Sequence, residues 1–330
     1  AFLQLDKKLL REKLNLSAGV RYERFTVNDD EQSVPVFRAG ATYQLFQGTF
    51  LRASYGGGFR FPTIGERYIR TSVGNLNIYP SAELRPERSW NVEGGIKQGF
   101  KLGRFIGYLD AVVFRQEFKD FIEFTFGQWA PNQGFTNFLG LGFKSLNTGG
   151  ALVTGYELEV AGKGSVGRAE VTVLLGYTHT RPGSTTPDLV YATNEVPGSF
   201  WPSATYTNTS SDPTDNILKF RVQDLFRSDV QVEVGRFAPG LSVRYNSHVR
   251  NIDQAFLFID EPILVPTGVT QWMEDHRTGD WLVDVRLGFD LTNSARIAFI
   301  VNNLTNEVYS IRPLSIEAPR SMQVQLSVNL

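Results

Sequence analysis

The 330-residue sequence contains no cysteine and only three histidines. The first absence excludes a disulfide scaffold and any thiolate metal site. The second leaves little for a histidine metal site, because His179, His248 and His276 are scattered along the chain. No Gly-x-Ser-x-Gly elbow occurs. The hydroxyls beside these histidines (Thr178, Thr180, Ser247) are strand neighbours that point to opposite faces, a poor basis for a Ser–His hydrolase. No catalytic residue, metal ligand or cofactor is therefore expected. Charge of one sign is also lacking: 33 Lys and Arg stand against 34 Asp and Glu, for a net −1, with no basic block. That argues against a nucleic-acid partner. Long apolar runs are missing too. A membrane-spanning helix needs about 20 consecutive apolar residues, and stretches such as Ala298–Val301 fall far short.

What is present is aromatic and glycine content, 13% aromatics with 25 Phe and 31 Gly, combined with a two-residue alternation. In the last segment Met322, Val324, Leu326, Val328 and Leu330 face one way, and Gln323, Gln325, Ser327 and Asn329 the other. The same pattern marks 14–22, 51–55, 90–98, 169–180, 230–234, 241–249 and 280–291. The polar face carries charges such as Glu157, Glu159, Asp284 and Arg286, as a wet or plugged barrel lumen tolerates. Two segments, 104–126 and 217–235, are predicted as single long strands, beyond the roughly ten residues a bilayer needs.

Alternation alone does not separate a soluble sandwich from a barrel, but the connections do. About thirteen strands are expected, joined by links that alternate short and long. Short links are placed at 10–12, 46–48, 100–103, 162–167, 236–240 and 292–294. Long ones are placed at 60–86, 127–150, 181–215, 251–279 and 305–320, with 28–33 as a short exception in a long slot. Transmembrane barrels have this asymmetry, with short periplasmic turns and long outer loops; sandwiches and propellers have no cause for it. With a periplasmic C-terminus every short link falls on the periplasmic side. Tyr22, Tyr55, Trp90, Tyr177, Tyr245 and Trp281 are candidates for interfacial girdles.

Several motifs then resemble the TonB-dependent outer-membrane receptors. They are Gly57-Gly58-Phe59-Arg60-Phe61-Pro62-Thr63 with Glu66 and Tyr68, Asn77-Ile78-Tyr79-Pro80, Leu84-Arg85-Pro86-Glu87-Arg88-Ser89, Asn91-Val92-Glu93-Gly94-Gly95, Val301-Asn302-Asn303-Leu304 through Tyr309, and Pro319-Arg320-Ser321. They keep the family's order and span most of the chain. Two departures are the terminal Leu330, where an aromatic is usual, and Thr305 in place of Phe. The resemblance implies a plug inside a barrel of about 22 strands, of which residues 1–330 would be the C-terminal thirteen, without the plug and roughly the first nine strands. The N-terminus, already strand-like and without a leader, is expected to begin part-way through such a chain.

The resemblance further implies energy-coupled import across the bacterial outer membrane. The most expected cargo is a ferric siderophore, with haem, cobalamin, glycan or peptide as alternatives. The partners would be outer-membrane lipid, the TonB complex acting through the plug, and the small nutrient, with a surface lipoprotein left open. A passive porin-like channel and a soluble β-rich glycan-binding protein are the competing readings. Because function on a rigid scaffold sits in loops, the ligand candidates are Arg60, Glu66, Arg67, Tyr68, Arg70, Tyr79, Trp129, Phe135, Tyr191, Trp201, Trp272 and His276. The Arg and aromatic residues among them suit an anionic or ring-bearing ligand.

Overall fold

The computed structural model describes residues 1–28, 30–73, 76–131, 138–194, 198–261, 266–312 and 315–328. Thirteen strands form one antiparallel wall in which each pairs with its neighbour in sequence. They are β1 (Phe2–Leu9), β2 (Leu14–Val27), β3 (Asp30–Phe46), β4 (Thr49–Arg60), β5 (Glu87–Leu102), β6 (Phe105–Lys119), β7 (Ala151–Val166), β8 (Ala169–Ser184), β9 (Asp224–Glu233), β10 (Phe237–Asn246), β11 (Asp280–Asp290), β12 (Ala295–Asn302) and β13 (Ser321–Val328). Among the described residues β1 and β13 are the wall's two edges and do not pair with each other.

The predicted alternation is the wall's two faces. Cross-strand partners share a face, so the register can be followed from strand to strand. One line runs Tyr43, Leu51, Ile96, Ala111, Leu158, Tyr177, Phe226, Tyr245 and Trp281. This face is apolar, and all six girdle candidates lie on it. The opposite face is charged and internally paired. Arg286 binds Asp229 with both terminal nitrogens (2.9 and 2.6 Å) and Gln231 through Nε (2.8 Å). Arg52 meets Asp110 at 2.7 Å, and Tyr108 donates to Glu159. Guanidinium contacts of this kind tie together strands two apart, across the strand between them, while satisfying charges that face no lipid.

The short links all fall at one end, as expected, but three are tighter than the sequence suggested. The turn predicted at 236–240 is only 234–236. Val234 and Phe237 exchange backbone hydrogen bonds (2.8 and 3.0 Å), and Gly235 supplies the positive φ of 59° that a tight hairpin needs. The links predicted at 100–103 and 162–167 likewise shrink to Gly103 (φ 61°) and Gly167 (φ 63°) with the residue after each. Gly162 was misleading as a turn signal. It lies inside β7 because a Cβ there would sit 2.5 Å from the Phe105 ring.

Both predicted long strands break. Residues 104–126 divide at Asp120, whose φ is 53°. Beyond it Ile122–Gln128 leaves the wall, its first backbone N–H held by the Glu87 carboxylate at 2.9 Å. In the segment 217–235 only Asp224–Glu233 is wall; Leu218 and Lys219 turn inward and are buried. In both cases the apolar pattern persists because the chain enters a second core.

That second core is made by the long connections. A four-stranded sheet of Thr71–Val73, Leu76–Tyr79, Leu141–Asn147 and Ile122–Gln128 is joined by α1 (Ile64–Tyr68), α2 (Tyr206–Thr209), α3 (Gln254–Ile259) and α4 (Val269–Asp275). Phe126, Leu141, Ile252, Ala255, Phe256, Ile259 and Val269 form its buried centre. Phe126 stacks on Phe256 at 4.3 Å. The connections are thus a folded cap over one end of the wall.

Candidate functional site

Where the cap meets the charged face of β9, β10 and β11 there is a cavity of about 280 Å³. Its wall side carries Leu225, Arg227, Arg244 and Leu282. Arg227 and Arg244 are direct cross-strand partners, so register alone sets the two guanidinium groups side by side. Arg244 reaches Asp284 at 3.3 Å. The cap side carries Trp272 and Met273 of α4, with His248, His276 and Tyr309 at the margin. The Trp272 and His276 rings stack with centroids 3.6 Å apart and 17° between planes. His276 is fixed at both ring nitrogens, Nδ1 to the Trp272 carbonyl and Nε2 to the Val308 carbonyl, each at 2.9 Å. Burial, with Arg250 and Arg277 nearby, holds His248 below the usual histidine range, so His248 itself adds no cation near neutral pH. The result is two arginines facing a flat aromatic platform, a combination that suits an anion bearing rings.

The turn that precedes Tyr309 is built by Asn303. Its side chain accepts from the Glu307 backbone N–H and donates to the Glu307 carbonyl, both at 2.8 Å, while its own N–H donates to Asp284 at 2.7 Å. Its φ of 50° is one that Asn tolerates better than most residues. This ties the Val301–Tyr309 motif directly to β11 of the wall.

The family profile for "TonB dependent receptor-like, beta-barrel" matches residues 1–304. The chain belongs to this family. No curated protein matches it, but solved structures of the same architecture do. The ferric-catecholate import receptor Fiu of E. coli K12 is 15% identical with a TM-score of 0.64, over 99% of this chain and 44% of that one. The Serratia marcescens hemophore receptor HasR, solved with its hemophore HasA and heme, is 16% identical with a TM-score of 0.62, over 99% and 50%. The Pseudomonas aeruginosa ferripyoverdine receptor is 16% identical with a TM-score of 0.60, over 99% and 38%. At these identities the likeness is one of fold. The chain spans half or less of the length of each of these receptors.

Of the twelve ligand candidates in this receptor-family chain, the cavity gathers only Trp272 and His276. The segment after β4 uses its charges internally. Arg60 binds both Glu66 oxygens (2.8 and 3.1 Å), and Glu66 closes a capping box with Thr63 that starts α1. Those contacts hold the Glu66 carboxyl below its usual range in spite of partial burial. Arg67 is buried, paired with Asp30 at 2.8 Å and bonded twice to the Ala82 carbonyl, with Tyr68 against its guanidinium. Arg70 is exposed on the cap, and the Tyr79 hydroxyl reaches the Gly140 carbonyl at 3.5 Å. Trp129, Tyr191 and Trp201 converge on a separate small cavity. Each spends its polar atom locally, on the Gly142 carbonyl, the Thr209 hydroxyl and the Asn208 carbonyl. Phe135 lies outside the described residues.

Arg227, Arg244 and Tyr309 are not among the sequence candidates: attention to loops passes over the two arginines at strand ends, and Tyr309, inside the 305–320 connection, is read there only as the end of a motif. A signal existed. Arg227 and Arg244 are strand residues on the polar side of the alternation, next to a long connection.

Proposed function

We propose that this chain is the capture half of an outer-membrane receptor that imports a small anionic, ring-bearing nutrient, a ferric siderophore being the best fit, with energy supplied through TonB. The carrying observation is the cavity in which Arg227 and Arg244 oppose the Trp272–His276 stack. Family membership and the fold shared with ferric-catecholate and ferripyoverdine receptors support the same class of cargo. The two open edges at β1 and β13 support a reading in which the thirteen strands are an arc of a larger barrel. The remaining strands, and a plug that contacts TonB, would then complete the protein. In this reading the apolar face meets lipid, the girdle aromatics sit at its interfaces, and the cap and cavity face outward.

The test uses the full-length receptor as the sole ferric receptor in a strain with and without TonB, supplied with a panel of iron-loaded catecholate and pyoverdine-type siderophores. Uptake of at least one, dependent on TonB and weakened at least tenfold in apparent affinity by the Arg227→Gln/Arg244→Gln pair, is the expected result. Uptake that persists without TonB would make the protein a passive channel. Siderophore binding indifferent to both substitutions would place the ligand elsewhere.

A further inference from the structure

Four carboxyl side chains are buried among the described residues, Glu87, Glu123, Asp253 and Asp280, and three of them have partners. Glu87 accepts from the Ile122 backbone N–H at 2.9 Å, and Glu123 from the Thr148 hydroxyl at 3.3 Å. Asp253 meets Lys219 at 2.8 Å and accepts from the Phe126 backbone N–H at 2.9 Å. Asp280 is different. It is 9% exposed, it lines the cavity between wall and cap, and its Oδ1 is enclosed without a hydrogen-bond partner. Neither of its oxygens forms an ion pair among the described residues. His276 and Glu307 act on it electrostatically, but both His276 ring nitrogens are already committed to the Trp272 and Val308 carbonyls. A carboxylate held in this way loses hydration and regains little from the protein.

We propose that Asp280 is a second recognition point of this cavity, one that receives a protonated amine of the ligand while Arg227 receives its acid group. The inference rests on the cavity being the capture site. It narrows the cargo to a ring-bearing molecule with a cation and an anion at opposite ends. The register sets that polarity. Arg227, Arg244 and Leu282 form one cross-strand line. Asp280 lies two residues before Leu282 on the same face, so it stands one line nearer the cap, opposite Asn246. β10 separates β9 from β11, which puts the strands bearing Arg227 and Asp280 about 10 Å apart.

The charges divide accordingly. Arg244 is already engaged by Asp284 at 3.3 Å, whereas the Arg227 guanidinium has no partner among the described residues. The lining arginines and aspartate thus leave one cation and one buried anion unanswered, at separate places, with the Trp272–His276 stack beside them to take a ring. An ammonium on Asp280 would form a charge-assisted hydrogen bond out of bulk water. A ligand that carries only acid groups would satisfy Arg227 but bring like charge towards Asp280. The same side chain therefore attracts one class of ligand and disfavours the other.

The test is isothermal titration calorimetry on the full-length receptor in detergent, with two one-ring probes suited to a cavity of about 280 Å³. One is para-(aminomethyl)benzoate, which carries an ammonium across the ring from its carboxylate. The other is para-methylbenzoate, the same ring and acid without the amine. The aminomethyl probe should bind about tenfold or more tightly than the methyl probe, as a hydrogen bond to a buried charged group allows. Asp280→Asn should bring the two probes to similar affinity without weakening the methyl probe, and Arg227→Gln should weaken both. Equal or tighter binding of the methyl probe by the unaltered receptor would overturn the inference, and that result needs no variant to fold. So would a preference for the amine that survives Asp280→Asn. Either result leaves the capture site standing if Arg227→Gln still weakens the probes. Binding of neither probe, or binding indifferent to Arg227→Gln, would instead remove the cavity as the capture site and this inference with it.

Discussion

Phe126→Ala tests whether the long connections behave as one folded cap. Phe126 is 2% exposed, stacks on Phe256 at 4.3 Å and touches the Phe143 ring at 5.0 Å. Removing a buried phenylalanine side chain costs about 3–5 kcal/mol, through lost transfer energy and the cavity left behind. If the cap opens as a unit, that loss raises the population of its open form by roughly two to three and a half powers of ten. Amide hydrogen exchange on the full-length receptor in detergent would read this directly. Peptides covering 121–128, 141–147 and 251–260 should lose protection together, while wall peptides from β5 to β8 keep theirs. Unchanged protection in those cap peptides would refute a shared core. So would a loss spread equally into the wall.

Two further outcomes follow from the wall and from the buried carboxylate. Leu241, mid-strand on the apolar face between Phe237 and Tyr245, should lose about 2–4 kcal/mol of folding stability in lipid on Leu241→Arg. Thr172→Arg, on the charged face, should lose far less, and equal losses in a vesicle-refolding assay would contradict the face assignment. Burial lifts the Glu123 carboxyl from the ordinary 4.5 to about 7, so the folded cap holds that proton more tightly than the opened segment does. The associated stability, at most about 3 kcal/mol, is full below about pH 4.5 and fades as pH rises through about 7. Protease resistance of the cap should therefore fall between about pH 5 and pH 8, and Glu123→Gln should flatten the profile. A flat profile in the unaltered protein would mean that Glu123 is solvated.

The wall was legible in the sequence because a barrel strand must alternate along its whole length, and one residue of slip would put charge into lipid. The thirteen strands, the end that holds the short links, and the shared face of Tyr177, Tyr245 and Trp281 all follow from that constraint. Turn positions were less legible. Gly162 reads as a turn by type but sits mid-strand, where neighbouring Phe105 leaves no room for a side chain. The cap was least legible. Ile122–Gln128 continues the alternation of β6, and nothing local announces that Asp120 redirects it. The site suffered similarly. Arg67 and Trp201 have the residue types of a binding surface, yet burial and local hydrogen bonds commit them to holding the cap together. Arg227 and Arg244 come together at the cavity through a cross-strand register that only the pairing reveals.

The division of apolar residues between wall and cap bears on how such a receptor could bind. In the wall, hydrophobic side chains alternate outward and need lipid more than one another, so they form no interior. The clusters of buried hydrophobic residues instead draw mainly on the connections, around Phe126 and Phe256 and around Tyr206 and Leu218. A capture surface made of independent flexible loops would have to order them when ligand arrives, at about 1–2 kcal/mol per residue fixed. Here that cost is met during folding, by stacked phenylalanines and the Lys219–Asp253 pair. Trp272 and His276 are already stacked, and His276 is already bonded to the backbone carbonyls of Trp272 and Val308, opposite Arg227 and Arg244. Binding free energy at such a site can go into contacts with the ligand, because little of it is needed to organise the protein.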